Sequence, residues 1–150
     1  MTTVNKNLVS AEDIIKCLNL TPDPEGGFCR QTFRAAKQSG GRAQSTAAYY
    51  LMVKDRGVAW HALARDECWH FYAGDPAEVS FALPDGTFKE TKPFGPDILG
   101  GQVPQVLIPA NYWQSAKCLG EWTLFGCTVS PGFEDEDRKL APAGWKPTGM

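Results

Sequence analysis

Apolar positions along the chain follow two periods. In "SAEDIIKCLNL", Ile14, Ile15 and Leu18 recur at helical spacing, Ser10 stands where an N-cap belongs, and Asp13 takes the capping-box position. This predicts one short N-terminal helix. "TPDPEGG" stops it and predicts an irregular turn. From there the pattern is that of strands. "FCRQTFR" sets Phe28, Arg30, Thr32 and Arg34 against Cys29, Gln31 and Phe33, while "STAAYYLMV" is the continuous apolar run of a buried strand. "ECWHFYAG" follows a predicted loop, "ALARD", and "AEVSFAL" meets "TFKET" through "PDG", a hairpin turn. Pro104 and Pro109 break up "QVPQVLIPANYWQSA" and belong at strand ends or turns, and "EWTLFGCTVS" is the last long strand. "GFEDEDRKL" reads as a solvated surface segment or short helix, and "APAGWKPTGM" as a loose end from which Trp145 can pack back on the body. Short strands separated by Gly/Pro turns, with one small helix, predict an all-β sandwich or barrel.

Composition narrows the function classes. The 150 residues suffice for one domain, 1–150, with a proper core. The net charge is -2 and Lys and Arg form no cluster, which argues against a nucleic-acid partner. No apolar run approaches the roughly 20 residues that span a bilayer, and "MTTVNKNLVSAED" lacks the apolar stretch of a signal peptide. A cytoplasmic protein is expected. The five cysteines are odd in number and form no C-x-x-C, as suits free thiols.

The candidate chemistry gathers in "WHALARDECWHFYAG", which holds both histidines of the chain, His61 and His70, with Glu67 between them. Two histidines exclude a three-histidine metal centre; His61 and Glu67 could be two ligands of another kind of site, and His70 is the harder case. In a regular strand the odd spacing from Glu67 to His70 sends the two to opposite faces unless a bulge intervenes. An imidazole and a carboxylate among Trp60, Trp69, Phe71 and Tyr72 also suit acid/base catalysis, with Tyr49, Tyr50 or Tyr72 as a phenolic acid. Arg30 and Arg34 share a strand face and could hold a phosphate or carboxylate. The plainer alternatives are a structural histidine in an aromatic core and solvated surface arginines.

These residues carry a resemblance to the cupin superfamily. Its first motif, H-x-H-x-x-x-E-x-x-x-x-x-x-G, is met by His61, Leu63, Glu67 and Gly74, and its second, P-x-G-x-x-H, by Pro109, Asn111 and Gln114. Leu63 and Gln114 thus replace two of the usual metal histidines. "PDPEGGFCRQTFR", "STAAYYLM", "WHALARDECWHFYAGDP", "PQVLIPANYWQSA" and "LGEWTLFGCTVSPGF" resemble successive blocks of one cupin family of largely unknown function, labelled predicted sugar epimerases. Cys29 and Gln31 stand where that family tends to have an aromatic residue and a glutamate.

The resemblance implies a jelly-roll barrel of the double-stranded β-helix type, with its core at about residues 22–133, one pocket, and a homodimer. It also implies similarity to dTDP-sugar epimerases, which need no metal and use a histidine base and a tyrosine acid. The expected function is proton transfer on a carbonyl compound such as a nucleotide-linked keto sugar, as in an isomerase or epimerase, with a small polar or anionic ligand bound in the barrel. His61 would be the base, Glu67 its helper and Tyr49 or Tyr72 the acid. Arg30 or Arg34 would hold an anionic group, and His70, Gln105, Trp113, Gln114 and Cys127 would shape the pocket. No cofactor is expected. The alternatives are a lyase, decarboxylase or cyclase with a divalent metal on His61, Glu67 and Gln114, possibly with His70, and a non-catalytic nucleotide- or metabolite-binding protein.

Overall fold

The computed structural model describes residues 9–150; the beginning of the stretch read as lacking a signal peptide, residues 1–8, lies outside the described residues. Helix α1 (Ala11–Leu18) forms where its periodicity places it. The Ser10 hydroxyl accepts from the Asp13 amide at 3.1 Å, and the Asp13 carboxylate accepts from the Ser10 amide at 3.0 Å, closing the capping box. Asn19 ends the helix in the left-handed conformation, one that asparagine tolerates.

Eleven strands follow among the described residues: β1 (Thr21–Pro22), β2 (Phe28–Arg34), β3 (Thr46–Val53), β4 (Val58–Leu63), β5 (Asp66–Gly74), β6 (Ala77–Ala82), β7 (Phe88–Phe94), β8 (Gln105–Ile108), β9 (Trp113–Cys118), β10 (Trp122–Ser130) and β11 (Arg138–Leu140). They pair into two antiparallel sheets, one ordered β1-β2-β3-β10-β5-β8 and the other β11-β4-β9-β6-β7. This is the all-β jelly-roll barrel that the resemblance implied. The hairpin turn lies where "PDG" predicts it: the Leu83 amide donates to the Thr87 carbonyl at 2.8 Å, and Gly86 supplies the positive φ of 92°. Among the described residues no helix is long and apolar enough to cross a membrane.

Two local expectations change. "ALARD" is not wholly a loop, because β4 runs through Leu63, which is buried and pairs with β11. The charged tail forms a short helical turn at Asp135–Asp137, the second of its two expected readings, and is not simply solvated. Asp137 is buried against Arg42, with Nη1 to Oδ2 at 2.7 Å, and the chain then enters β11. Trp145 packs back on Trp60 and Trp113, with ring centroids 5.7 and 4.7 Å away.

The two sheets enclose the main core, which includes Met52, Trp69, Val79, Phe94, Ile108 and Phe125. A second cluster forms where α1 covers part of the outer face of the six-stranded sheet, with Leu20, Leu51 and Trp122 packed against Ile14, Ile15 and Leu18. The rest of that outer face is not covered by α1, and Phe33, Tyr72 and Leu107 are exposed.

Candidate active site in the barrel

The inner faces of β2, β3, β5 and β10 converge on a cavity of about 90 Å³. That volume holds a few waters or a compact small molecule. Its apolar wall is a ladder of rings. Trp69 stacks on Phe125 at 4.4 Å, and Phe125 stacks on Tyr50 at 5.1 Å. Its polar lining is Asp23, Glu25, Cys29, Gln31, Glu67, Cys127 and Arg138.

Strand alternation decides which predicted residues reach it. On β5, Glu67 and Trp69 point inward, and the Trp69 indole N–H donates to Glu67 Oε1 at 3.1 Å. His70 points the other way. Its Nε2 lies 2.9 Å from Thr128 Oγ1, and Gln105 Nε2 lies 3.1 Å from its Nδ1. The register shift between β10 and β5 falls at Leu124/Phe125, beyond His70, so no bulge brings His70 back to the side of Glu67.

Tyr49 and Tyr72 meet edge to face at 6.3 Å on the outer face, and the Arg30 guanidinium lies 5.6 Å from the centre of the Tyr49 ring. Arg34 extends to Glu134 and the Phe133 carbonyl. Trp113 lies under Trp145 and Lys139. Tyr49 and Tyr72, the anion-holding arginines, His70, Gln105 and Trp113 therefore do not line the cavity. Period-two alternation puts Arg30, Tyr49, Tyr72, His70, Gln105 and Trp113 on the opposite side of their strands, and Tyr50 rather than Tyr49 is the inward tyrosine. Arg34 differs, because the register shift between Gln31 and Phe33 turns it to the side of Thr46 and Gln31. It misses the cavity by reaching away to Glu134 and the Phe133 carbonyl.

His61 is buried on β4, where a register shift between Val58 and His61 turns both side chains inward. Its Nδ1 lies 2.8 Å from the Ala59 carbonyl. A carbonyl has no proton to give, so Nδ1 carries the hydrogen and Nε2 is left to face Glu25 Oε1 at 3.4 Å. Glu25 lines the cavity and His61 stands behind it. Arg138 Nη1 reaches both Glu25 Oε2, at 3.1 Å, and Asp23 Oδ1, at 3.4 Å. The Tyr50 hydroxyl accepts from the Gly27 amide at 3.1 Å and faces Asp23 Oδ2 at 3.4 Å.

Electrostatics follow from this packing. Burial pushes the Glu25 carboxyl above its ordinary value, and the Asp23 and Glu67 charges push the same way, while His61 and Arg138 oppose them. Burial and the neighbouring Asp23 push the Cys29 thiol up to about 12, and burial with Glu67 pushes Cys127 up. Both cavity thiols are therefore protonated at neutral pH and poor nucleophiles.

Sequence reasoning missed Asp23, Glu25 and Arg138, and named Tyr50 only as one of three possible phenolic acids. Their signals were two carboxyls in a Pro/Gly turn, a tyrosine in an apolar run whose hydroxyl needs a partner, and an arginine closing an acidic run.

The donor set does not fit a cupin metal centre. Leu63 is apolar, His61 Nε2 is turned to Glu25, and Gln114 is fully buried with both amide atoms lacking a partner. Among the described residues no group of three or more His, Cys, Asp or Glu side chains is placed to hold an ion.

An antiparallel jelly roll with a polar cavity between its sheets defines the cupin class of barrel. The family model described as "Cupin superfamily (DUF985)" matches residues 12–141, and the chain belongs to that family. Among solved structures it is similar to protein SO0799 from Shewanella oneidensis, at 32% identity over 89% of this chain and 85% of that one, with a TM-score of 0.83. It is also similar to a hypothetical protein from Leishmania major, at 26% identity over 89% and 88%, with a TM-score of 0.80. Oxalate decarboxylase from Bacillus subtilis shares the fold at 13% identity over 79% of this chain and 29% of that one, with a TM-score of 0.61. No curated protein matches the chain.

Proposed function

We propose that the protein is a proton-transfer enzyme of the isomerase or epimerase type, acting on a small carbonyl compound inside the barrel. The observation that carries this reading is the Glu25–His61 pair on the cavity wall, with Nε2 and Oε1 3.4 Å apart and the outer imidazole nitrogen bound to a carbonyl. A carboxyl raised above its ordinary value by burial and backed by an oriented imidazole is suited to take and return a proton. The proton leaves the carbon beside the carbonyl and passes to the Glu25–His61 pair. Negative charge develops on the carbonyl oxygen, where the Arg138 guanidinium meets it. The same proton, or one exchanged with solvent, then returns to carbon. Relative to the sequence expectation, Glu25 takes the place of the tyrosine acid and His61 acts through it. Small-molecule sites commonly measure roughly 300–1,000 Å³. A cavity of about 90 Å³ takes a compact molecule or one end of a larger one.

Solvent deuterium uptake at the carbon beside the carbonyl, followed by NMR with a panel of three-carbon carbonyl compounds, tests this. Glu25→Gln should slow exchange by about 100-fold or more, as loss of a general acid/base does, and Tyr72→Phe should leave it unchanged. Exchange that survives Glu25→Gln would sink the assignment.

We further infer that the partner is a second copy of this chain, docked on the outer face of the six-stranded sheet where Phe33, Tyr72 and Leu107 are exposed. Sedimentation should give a dimer that Leu107→Arg converts to monomer; a monomeric parent protein overturns it.

A further inference from the structure

The charges that reach the cavity do not balance. Asp23, Glu25 and Glu67 bring three carboxyls to its lining, and Arg138 is the single cation lining it among the described residues. Glu25 faces His61 Nε2 at 3.4 Å, and a single proton shared between carboxylate and imidazole leaves that pair neutral. Arg138 reaches both Glu25, at 3.1 Å, and Asp23, at 3.4 Å, and its one positive charge offsets one carboxylate of the two. Glu67 remains. Its Oε1 accepts from the Trp69 indole N–H at 3.1 Å, a neutral donor, and its other close partner is the Cys127 thiol.

No cationic side chain among the described residues pairs with Glu67. Arg30 and Arg34, the expected anion holders, lie outside the cavity. The wall beside Glu67 is apolar, built of Trp69, Phe125 and Val129. In such surroundings the field of one unbalanced carboxylate is screened far less than in water.

We propose that the ligand supplies the missing charge: the cavity takes a compact organic cation, a carbonyl compound bearing an ammonium group that pairs with Glu67. An anionic ligand end meets net negative charge inside the barrel and is excluded. This names the substrate class for the proton-transfer reading above and rests on that reading for its carbonyl, while the charge preference stands on the lining alone.

Three molecules of near-equal size separate the cases: aminoacetone (cation), hydroxyacetone (neutral) and pyruvate (anion). Binding to the full chain is measured by calorimetry and by ligand-dependent thermal stabilisation. Aminoacetone should bind at least about tenfold more tightly than hydroxyacetone, with pyruvate weakest. Glu67→Gln, which keeps an acceptor for the indole, should remove that preference and leave hydroxyacetone within about twofold; Glu67→Asp should restore it. Equal binding of all three, a preference for pyruvate, an unaltered ranking in Glu67→Gln, or no binding of any of them overturns the inference. The wild-type ranking needs no variant to fold. Deuterium exchange separates the two claims. Cation-selective binding without exchange removes the proton-transfer reading and keeps the charge class; exchange with no charge preference does the reverse.

Discussion

Gln114 is the residue whose position costs the most for the least visible return. It is fully buried, faces His61 and Phe81 across its two strand neighbours, and neither amide atom finds a partner. Leaving a buried polar group unsatisfied costs roughly 1–3 kcal/mol, so Gln114→Met, which keeps the shape and removes the polar atoms, should stabilise the protein by about that amount in denaturant unfolding. A loss of stability would mean that the amide is satisfied in solution. Glu25 makes a second residue-scale prediction. Its carboxyl titrates above the ordinary 4.5 in the folded state, so the folded state binds more protons than the unfolded one from that pH upward. Stability from this group is present below pH 4.5 and is lost as pH rises through the raised folded value. Wild-type thermal stability should therefore fall relative to Glu25→Gln as pH rises across that window, and parallel curves would contradict the burial argument.

At the scale of elements, the cavity mouth is held by two segments far apart in sequence. Asp23 and Glu25 come from the turn between β1 and β2, and Arg138 opens β11. One guanidinium ties both carboxyls, and its side chain is only 15% exposed. Arg138→Met leaves two largely buried carboxyls without their cation, which should cost about 3 kcal/mol or more. A change within about 0.5 kcal/mol would show that the latch is not formed. The two segments also explain what the sequence could and could not disclose. Helix α1 and the β6–β7 hairpin are local, written in capping residues and a turn dipeptide, and they are legible. Alternation in β5 separates Glu67 from His70 without saying which one is inside. "STAAYYLMV" is apolar throughout, so nothing in it distinguishes inward Tyr50 from outward Tyr49. The meeting of Glu25 with Arg138 depends on chain closure across more than a hundred residues, which no local period encodes.

Over the whole molecule, the barrel sorts polar residues into an interior set, with Glu25, His61, Glu67 and Arg138, and an exterior set, with His70, Thr128, Gln105, Tyr49 and Tyr72. Cupin spacing alone pointed to His61 and Glu67 but could not supply their neighbours. With Leu63 and Gln114 at two ligand positions, stripping divalent ions with a chelator should change neither the melting temperature nor deuterium exchange; loss of either that zinc or manganese restores would revive the metal alternative. The central claim is that chemistry lies inside the barrel and not on its outer face. The chain offers one histidine on each side, His61 within and His70 without. Nitrogen-15 NMR of the two imidazoles, recorded while a small carbonyl ligand is added, reads both at once. The account predicts that the His61 signals shift with ligand, with Nδ1 protonated throughout, while His70 stays unmoved. Ligand-dependent shifts at His70 with a silent His61 would contradict it.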